Sequence, residues 1–254
     1  GAAALILTAP GLSVINGAID EARRIFGRIN SYLIYRIALT IDIMFVVVLS
    51  TIFLGFSPLT AIMIVVMSLL DDLPMMTIAY DNTPVSPKPV RWDLPNIFGL
   101  ATVLGVFSVV ESFGLLLFGI RTLSIPELQV HFGLATHAQL QTMMFLQLVG
   151  GGQILLFITR TEGWFFKPPF PAAPLFWAIV ATQVVAALMC GLGWLVPAIP
   201  WKLIGWVWVY LIAWLFILGS ARLIYDRFAS YRTVRHLKHT ALVNQSLQPH
   251  VPAA

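Results

Sequence analysis

Six apolar runs recur along the chain: Leu33–Leu54, Leu59–Ala79, Asn96–Ile120, Ala138–Ile158, Leu175–Leu195 and Leu203–Ile224. Each comes near the roughly 20 residues that a helix needs to cross the hydrocarbon of a bilayer. Water is absent there, so every backbone polar group must be satisfied within the spanning structure, and a helix does this within one segment. The runs therefore predict an all-α, polytopic membrane protein with six transmembrane helices. Composition agrees: 59% of the 254 residues are hydrophobic and 10% charged, and the mean hydropathy is +0.88, values that exclude an ordinary soluble domain. The one cysteine, Cys190, lies in an apolar run, so a single chain builds neither a disulfide nor a cysteine-rich metal site.

The second run holds the feature with chemical content. Ile62–Asn82 reads IMIVVMSLLDDLPMMTIAYDN, an apolar stretch interrupted by Asp71, Asp72 and Pro74. A carboxylate at the bilayer centre is expensive and rarely present without a task, so both aspartates are candidate ion- or proton-binding groups. Pro74 lacks an N–H and its ring displaces the carbonyl of Leu70. The second helix is therefore expected to be kinked or unwound beside the carboxylates.

Depth arithmetic adds a third group. Asp42 lies twelve residues before Leu54 and Asp71 twelve after Leu59, so at 1.5 Å per residue both sit about 18 Å from the turn Gly55–Pro58. Neighbouring helical residues point about 100° apart, so one of Asp71 and Asp72 should look toward the first span and the other elsewhere. Lys and Arg occur in the spans only near their basic ends, so these acids are expected to lack a cationic partner within the chain. Desolvation and mutual repulsion disfavour ionising all of them together, which leaves shared protons or a bound cation. Glu111 in the third span is an accessory candidate, more simply read as a structural group. Gln139, Gln141, Gln147, Gln153 and Gly150–Gly152 in the fourth span read as interhelical hydrogen bonds and close packing.

Charge gives the orientation. Of the 15 Lys and Arg, 13 lie at the chain ends or in the loops after the second and fourth spans, leaving Arg121 and Lys202 for the other face. The bias places both termini in the cytoplasm. The net charge of +4, concentrated on that side, suits anionic lipid headgroups rather than nucleic acid. Residues 1–32 read as the last strand of a soluble domain, around Ala4–Thr8, followed by a helix entering the membrane. Residues 33–224 form the six-helix membrane domain, and 225–254 a cytoplasmic tail. The chain has no leader-like start and no initiator methionine, as expected for the middle of something longer.

Several stretches together carry a resemblance. LTAPGLSVI (Leu7–Ile15), RINSYLIYRIALTI (Arg28–Ile41), LLDDLPMMTIAYDN (Leu69–Asn82), PVRWDLPNIFGLATVLG (Pro89–Gly105) and LQLVGGGQILLFITR (Leu146–Arg160) keep order and spacing ahead of a tryptophan-rich last span. In this the chain resembles the C-terminal membrane half of P-type ATPases, in the plasma-membrane proton-pump branch. The resemblance implies the last six of ten spans, with Gly1–Leu12 ending a phosphorylation domain. It also implies ATP-driven proton export across the plasma membrane. The proton-accepting aspartate of the family falls on Asp72 by the frame of TIAYDN. Two positions depart from the family: Asp71 stands where an asparagine or small residue is common, and Asp42 where Arg or His is common. Both are acidic here, which leaves room for a cation other than the proton.

The family's DKTGT, TGE, GDGxNDxP and PxxLP motifs do not occur in this chain. No catalytic residue is therefore expected in it, and no metal site. The implied partners are the upstream half of the pump (actuator, nucleotide-binding and phosphorylation domains and four further spans), which would bind ATP and Mg²⁺, and the lipid bilayer. Two other readings are a free-standing six-span channel or assembly subunit, and an intramembrane aspartyl protease. The protease needs a GxGD-type context, which Asp71-Asp72 lacks.

Overall fold

The computed structural model of the chain describes residues 12–85, 93–161, 163, 164 and 166–247, with side chains from 14 to 229 within those ranges. The expected strand at Ala4–Thr8 and the middle of the loop after the second span lie outside the described residues. Seven α-helices and no strand occur among the described residues. They are α1 (Leu12–Leu54), α2 (Ala61–Thr77), α3 (Leu94–Ser124), α4 (Pro126–Phe132), α5 (His137–Thr159), α6 (Ala173–Leu192) and α7 (Trp201–Leu247). All but α4 include a stretch long and apolar enough to cross a membrane.

Local chemistry sets the ends of these helices. Thr60, Asp93 and Thr136 cap α2, α3 and α5 by accepting from the backbone N–H groups of Met63, Asn96 and Gln139, each satisfying a donor that the first helical turn leaves free. Gly55, at φ +60°, makes the reversal between α1 and α2, a conformation that costs a side chain but not glycine. The two end helices outrun a bilayer: α1 has 43 residues and α7 has 47, about 65 and 70 Å at 1.5 Å per residue. The entry helix and first span are thus one continuous rod, and the last span continues into the tail as helix to Leu247.

The six long helices gather around α5. It packs against α1, α2, α3, α6 and α7, and 89% of its apolar stretch is buried, against 28–44% for the other five. The outer helices turn residues such as Phe53, Val65, Val110, Trp177 and Phe216 outward, as lipid-facing surfaces require. Inside, two apolar cores form. One holds Val46, Met63, Met67, Leu116, Met144 and Leu203, toward the α1–α2 turn. The other holds Tyr35, Leu39, Leu100, Leu104, Leu156 and Leu218, toward the basic end. Between them, in sequence position on α1, α2 and α3, lie Asp42, Asp71 and Glu111, while Gln147 on α5 is set within the first core.

Of the two forms expected for α2, kinked or unwound, the unwound one does not occur. The helix runs unbroken through Asp71, Asp72 and Pro74 to Thr77 and tightens into a 3₁₀ turn only at Ile78–Tyr80. One proline removes a single i→i−4 bond, and unwinding would strand several more backbone groups away from water. Pro74 has no N–H to offer the carbonyl of Leu70.

Candidate functional site

The polar layer is built from four helices. Asp42 on α1 is 1% exposed, and both its oxygens accept from the Ser112 hydroxyl on α3, at 3.0 and 3.3 Å. Ser112 in turn accepts from the Gln147 amide on α5 at 3.1 Å. Asp71 on α2 is 3% exposed, and Glu111 on α3 is fully buried. Neither carboxylate has a hydrogen-bond partner among the described residues, and neither does the Gln147 carbonyl oxygen. Asp42 and Asp71 come close enough for their charges to act on one another, as their common depth predicts.

The glycine run of α5 makes this convergence sterically feasible. A Cβ on Gly152 would sit 3.2 and 3.3 Å from the Asp71 oxygens, and one on Gly151 would sit 3.4 Å from Gln147 Nε2 and 3.7 Å from Glu111 Oε1. Gly150 faces Leu211 and Gln183 instead. The three glycines thus let α5 approach different neighbours. Of the four glutamines, Gln147 and Gln153 make the expected interhelical hydrogen bonds, whereas Gln139 and Gln141 donate to carbonyls in loops. Gln139 and Gln141 donate to the carbonyls of Ala198 and Ser57, and Gln147 and Gln153 to the hydroxyls of Ser112 and Thr182.

Asp72 is not in this layer. Its side chain is 45% exposed and accepts from Arg36 Nη1 on α1 at 3.4 Å. The expectation that the acids lack a cationic partner within the chain is therefore corrected. Arg36 lies six residues before Asp42, and its long, flexible stem carries the guanidinium up to Asp72. The two adjacent aspartates do part company as helical geometry requires: Asp72 meets the first span, and Asp71 faces Gly152 on α5. Asp72 belongs to an outward stripe of α2 that also carries Ile62, Val65, Leu69, Leu73 and Met76.

A second polar assembly, at the basic end, was missed by the sequence reading. Arg160 and Asp81 form a buried two-pronged ion pair, Nε to Oδ2 at 2.9 Å and Nη2 to Oδ1 at 3.1 Å. Arg160 also donates to the Pro169 carbonyl, the Ala172 N–H donates to Asp81, and Arg28 donates to the Asp81 carbonyl. Arg222 on α7 donates to the Ile158 carbonyl. This clasp ties α1, the end of α2, α5, α6 and α7 together. The only signal in sequence is that Asp81 and Arg160 close their apolar runs.

Among the described residues, no group of three or more His, Cys, Asp or Glu is arranged to hold a metal ion. Fold and site together define a polytopic α-helical membrane protein with carboxylates from three helices buried in a central polar layer.

No family model matches the chain. Curated relatives do. It is 40% identical over 223 residues, 88% of its length, to a protein of Methanocaldococcus jannaschii named as a cation-transporting ATPase. It is 33% identical over 76% of its length to plasma membrane ATPase 1 of Saccharomyces cerevisiae, and 30% identical over 94% to plasma membrane ATPase 2 of Schizosaccharomyces pombe. The chain belongs with the P-type cation-transporting ATPases, and its six apolar helices fit the C-terminal membrane half of such an enzyme. It spans 26%, 20% and 23% of the lengths of these three relatives.

Proposed function

We propose that this chain is the ion-translocating membrane part of an ATP-driven cation export pump in the plasma membrane. The exported cation is a proton, accepted at Asp72 beside Asp71 and Asp42. The observation that carries the reading is the Arg36–Asp72 pair on the outward stripe of α2. An ionisable side chain costs about 2.5–3.5 kcal/mol at the centre of a membrane helix, yet the six helices leave both members nearly half exposed. Packing of four further spans against this stripe would enclose the pair and turn it from a liability into a site. An ionised Asp72 is held by Arg36, and a protonated Asp72 releases it, so the pair has two arrangements that a pump can alternate.

ATP hydrolysis is assigned to the part of the pump outside this chain. In this reading ATP and Mg²⁺ bind the upstream domains, where phosphoryl transfer takes place. Both ends of the chain face the cytoplasm in this reading, from the distribution of Lys and Arg.

The test is proton flux into inverted vesicles containing the intact pump. Asp72→Asn keeps the shape of the side chain but cannot release a proton, so flux should fall to background while the protein stays folded. Undiminished flux in that variant removes Asp72 as the acceptor. Transport that follows added Na⁺ or K⁺ instead of pH replaces the proton with another cation.

A further inference from the structure

The polar layer contains more acceptors than donors. Asp71 Oδ1 and Oδ2, Glu111 Oε1 and Oε2, and Gln147 Oε1 are buried without a hydrogen-bond partner among the described residues. Each such orphan costs on the order of 1–3 kcal/mol. Glu111 differs from Asp71 in having an amide nitrogen for a neighbour, Gln147 Nε2 across the gap at Gly151. Gln147 donates one of its two amide N–H groups to Ser112, and its Nε2 and Glu111 Oε1 lie 3.4 and 3.7 Å from the point beside Gly151 where a side chain is absent.

The geometry points to Glu111 as a proton-binding site in its own right, separate from Asp72, with the second N–H of Gln147 as the donor that faces its carboxyl. The Gln147 nitrogen carries two donors. One goes to Ser112, which donates on to Asp42, and the other is on hand for the C=O of a protonated Glu111 across the gap at Gly151. A proton leaves this buried carboxyl neutral, and the Gln147 N–H lowers the stretching frequency of the C=O that it meets.

A proton fits this place better than a multivalent metal, because no three acidic, His or Cys side chains converge on it among the described residues. The titratable groups around Glu111 are Asp42 on α1 and Tyr210 on α7, whose hydroxyl donates to the Glu111 backbone carbonyl at 2.6 Å. On its own helix, Ser108 and Ser112 share its face, and α5 offers only amides and glycine. The inference does not depend on the pump reading, since Glu111 lies on α3 and holds its proton whether or not Asp72 carries the exported ion.

Infrared difference spectra of the full chain in lipid nanodiscs, in H₂O and D₂O, report protonated carboxyls through their C=O stretch. The wild type in neutral buffer should show a hydrogen-bonded, protonated carboxyl, and Glu111→Gln should remove one carboxyl's worth of that band. Gln147→Leu should keep its area and move it to the higher frequency of a carboxyl without a partner. A band of full area in Glu111→Gln overturns the inference, and so does a band unmoved in Gln147→Leu, which decides the matter even if Glu111→Gln fails to fold. A band that responds to Na⁺ or K⁺ and not to pH also overturns it. Asp72→Asn separates the two readings: it should leave the Glu111 band intact, and loss of that band would show that the assigned carboxyl is Asp72.

Discussion

Two ion pairs of the same chemistry have opposite consequences because of where they sit. Asp81 and Arg160 are 3% and 1% exposed, and removing one member of a buried pair typically costs 3–5 kcal/mol, because the other charge is stranded. Asp81→Asn should therefore lower the unfolding temperature sharply, and Asp81→Leu combined with Arg160→Met should recover much of the loss, as followed by thermal unfolding of the reconstituted chain. Arg36 and Asp72 are 47% and 45% exposed on the stripe of α2, where each offsets part of the cost of the other's charge in the membrane. Arg36→Gln takes that partner from Asp72 and should depress flux in the intact pump. Undiminished flux in Arg36→Gln would contradict a role for the pair. The sequence makes Asp42 and Asp71 legible as a level, because helical rise converts residue number into depth. It does not reveal Arg36 as a partner, since the reach of a long side chain is not contained in helical register. Nor does it pair Asp81 with Arg160, which are 79 positions apart and meet only once the bundle is assembled.

At the scale of the helix, the glycines of α5 and the proline of α2 act in opposite senses. Gly152→Ala would place a methyl 3.2 Å from an Asp71 oxygen, and overpacking of this kind typically costs 1–3 kcal/mol. Gly205 on α7 has nothing within 4 Å of its added Cβ, so Gly205→Ala should raise stability by about 0.5–1 kcal/mol through helix propensity alone. The contrast in sign is measured by thermal unfolding of the two variants, and destabilisation by both would discard the packing argument. The positions of the six spans are legible because apolar length is enforced by the bilayer itself. The state of α2 is less so. A proline announces a lost bond, but whether the helix then opens depends on whether the freed groups have water or neighbours to turn to, and here the helix stays closed.

For the whole molecule, the decisive crossing is that of α5, which separates α4 from the loop before α6. Val130 on α4 is 86% exposed, and Lys167 in that loop is also exposed. With Cys190, buried in the bundle, replaced by alanine, Val130→Cys should react with an impermeant thiol reagent from outside the cell and Lys167→Cys only from within. Reaction of both from one side would sink the six-span arrangement. The two apolar cores then have an electrical meaning. They are insulating slabs in series, with a polarisable sheet of carboxyls and amides between them, so the membrane voltage drops across each slab and little across the sheet. A full crossing is worth about 2.3 kcal/mol per charge per 100 mV, so a proton travelling only as far as the sheet would do about half that work. Loading and unloading of the sheet would then each be voltage-dependent steps, and neither slab alone would bear the whole field.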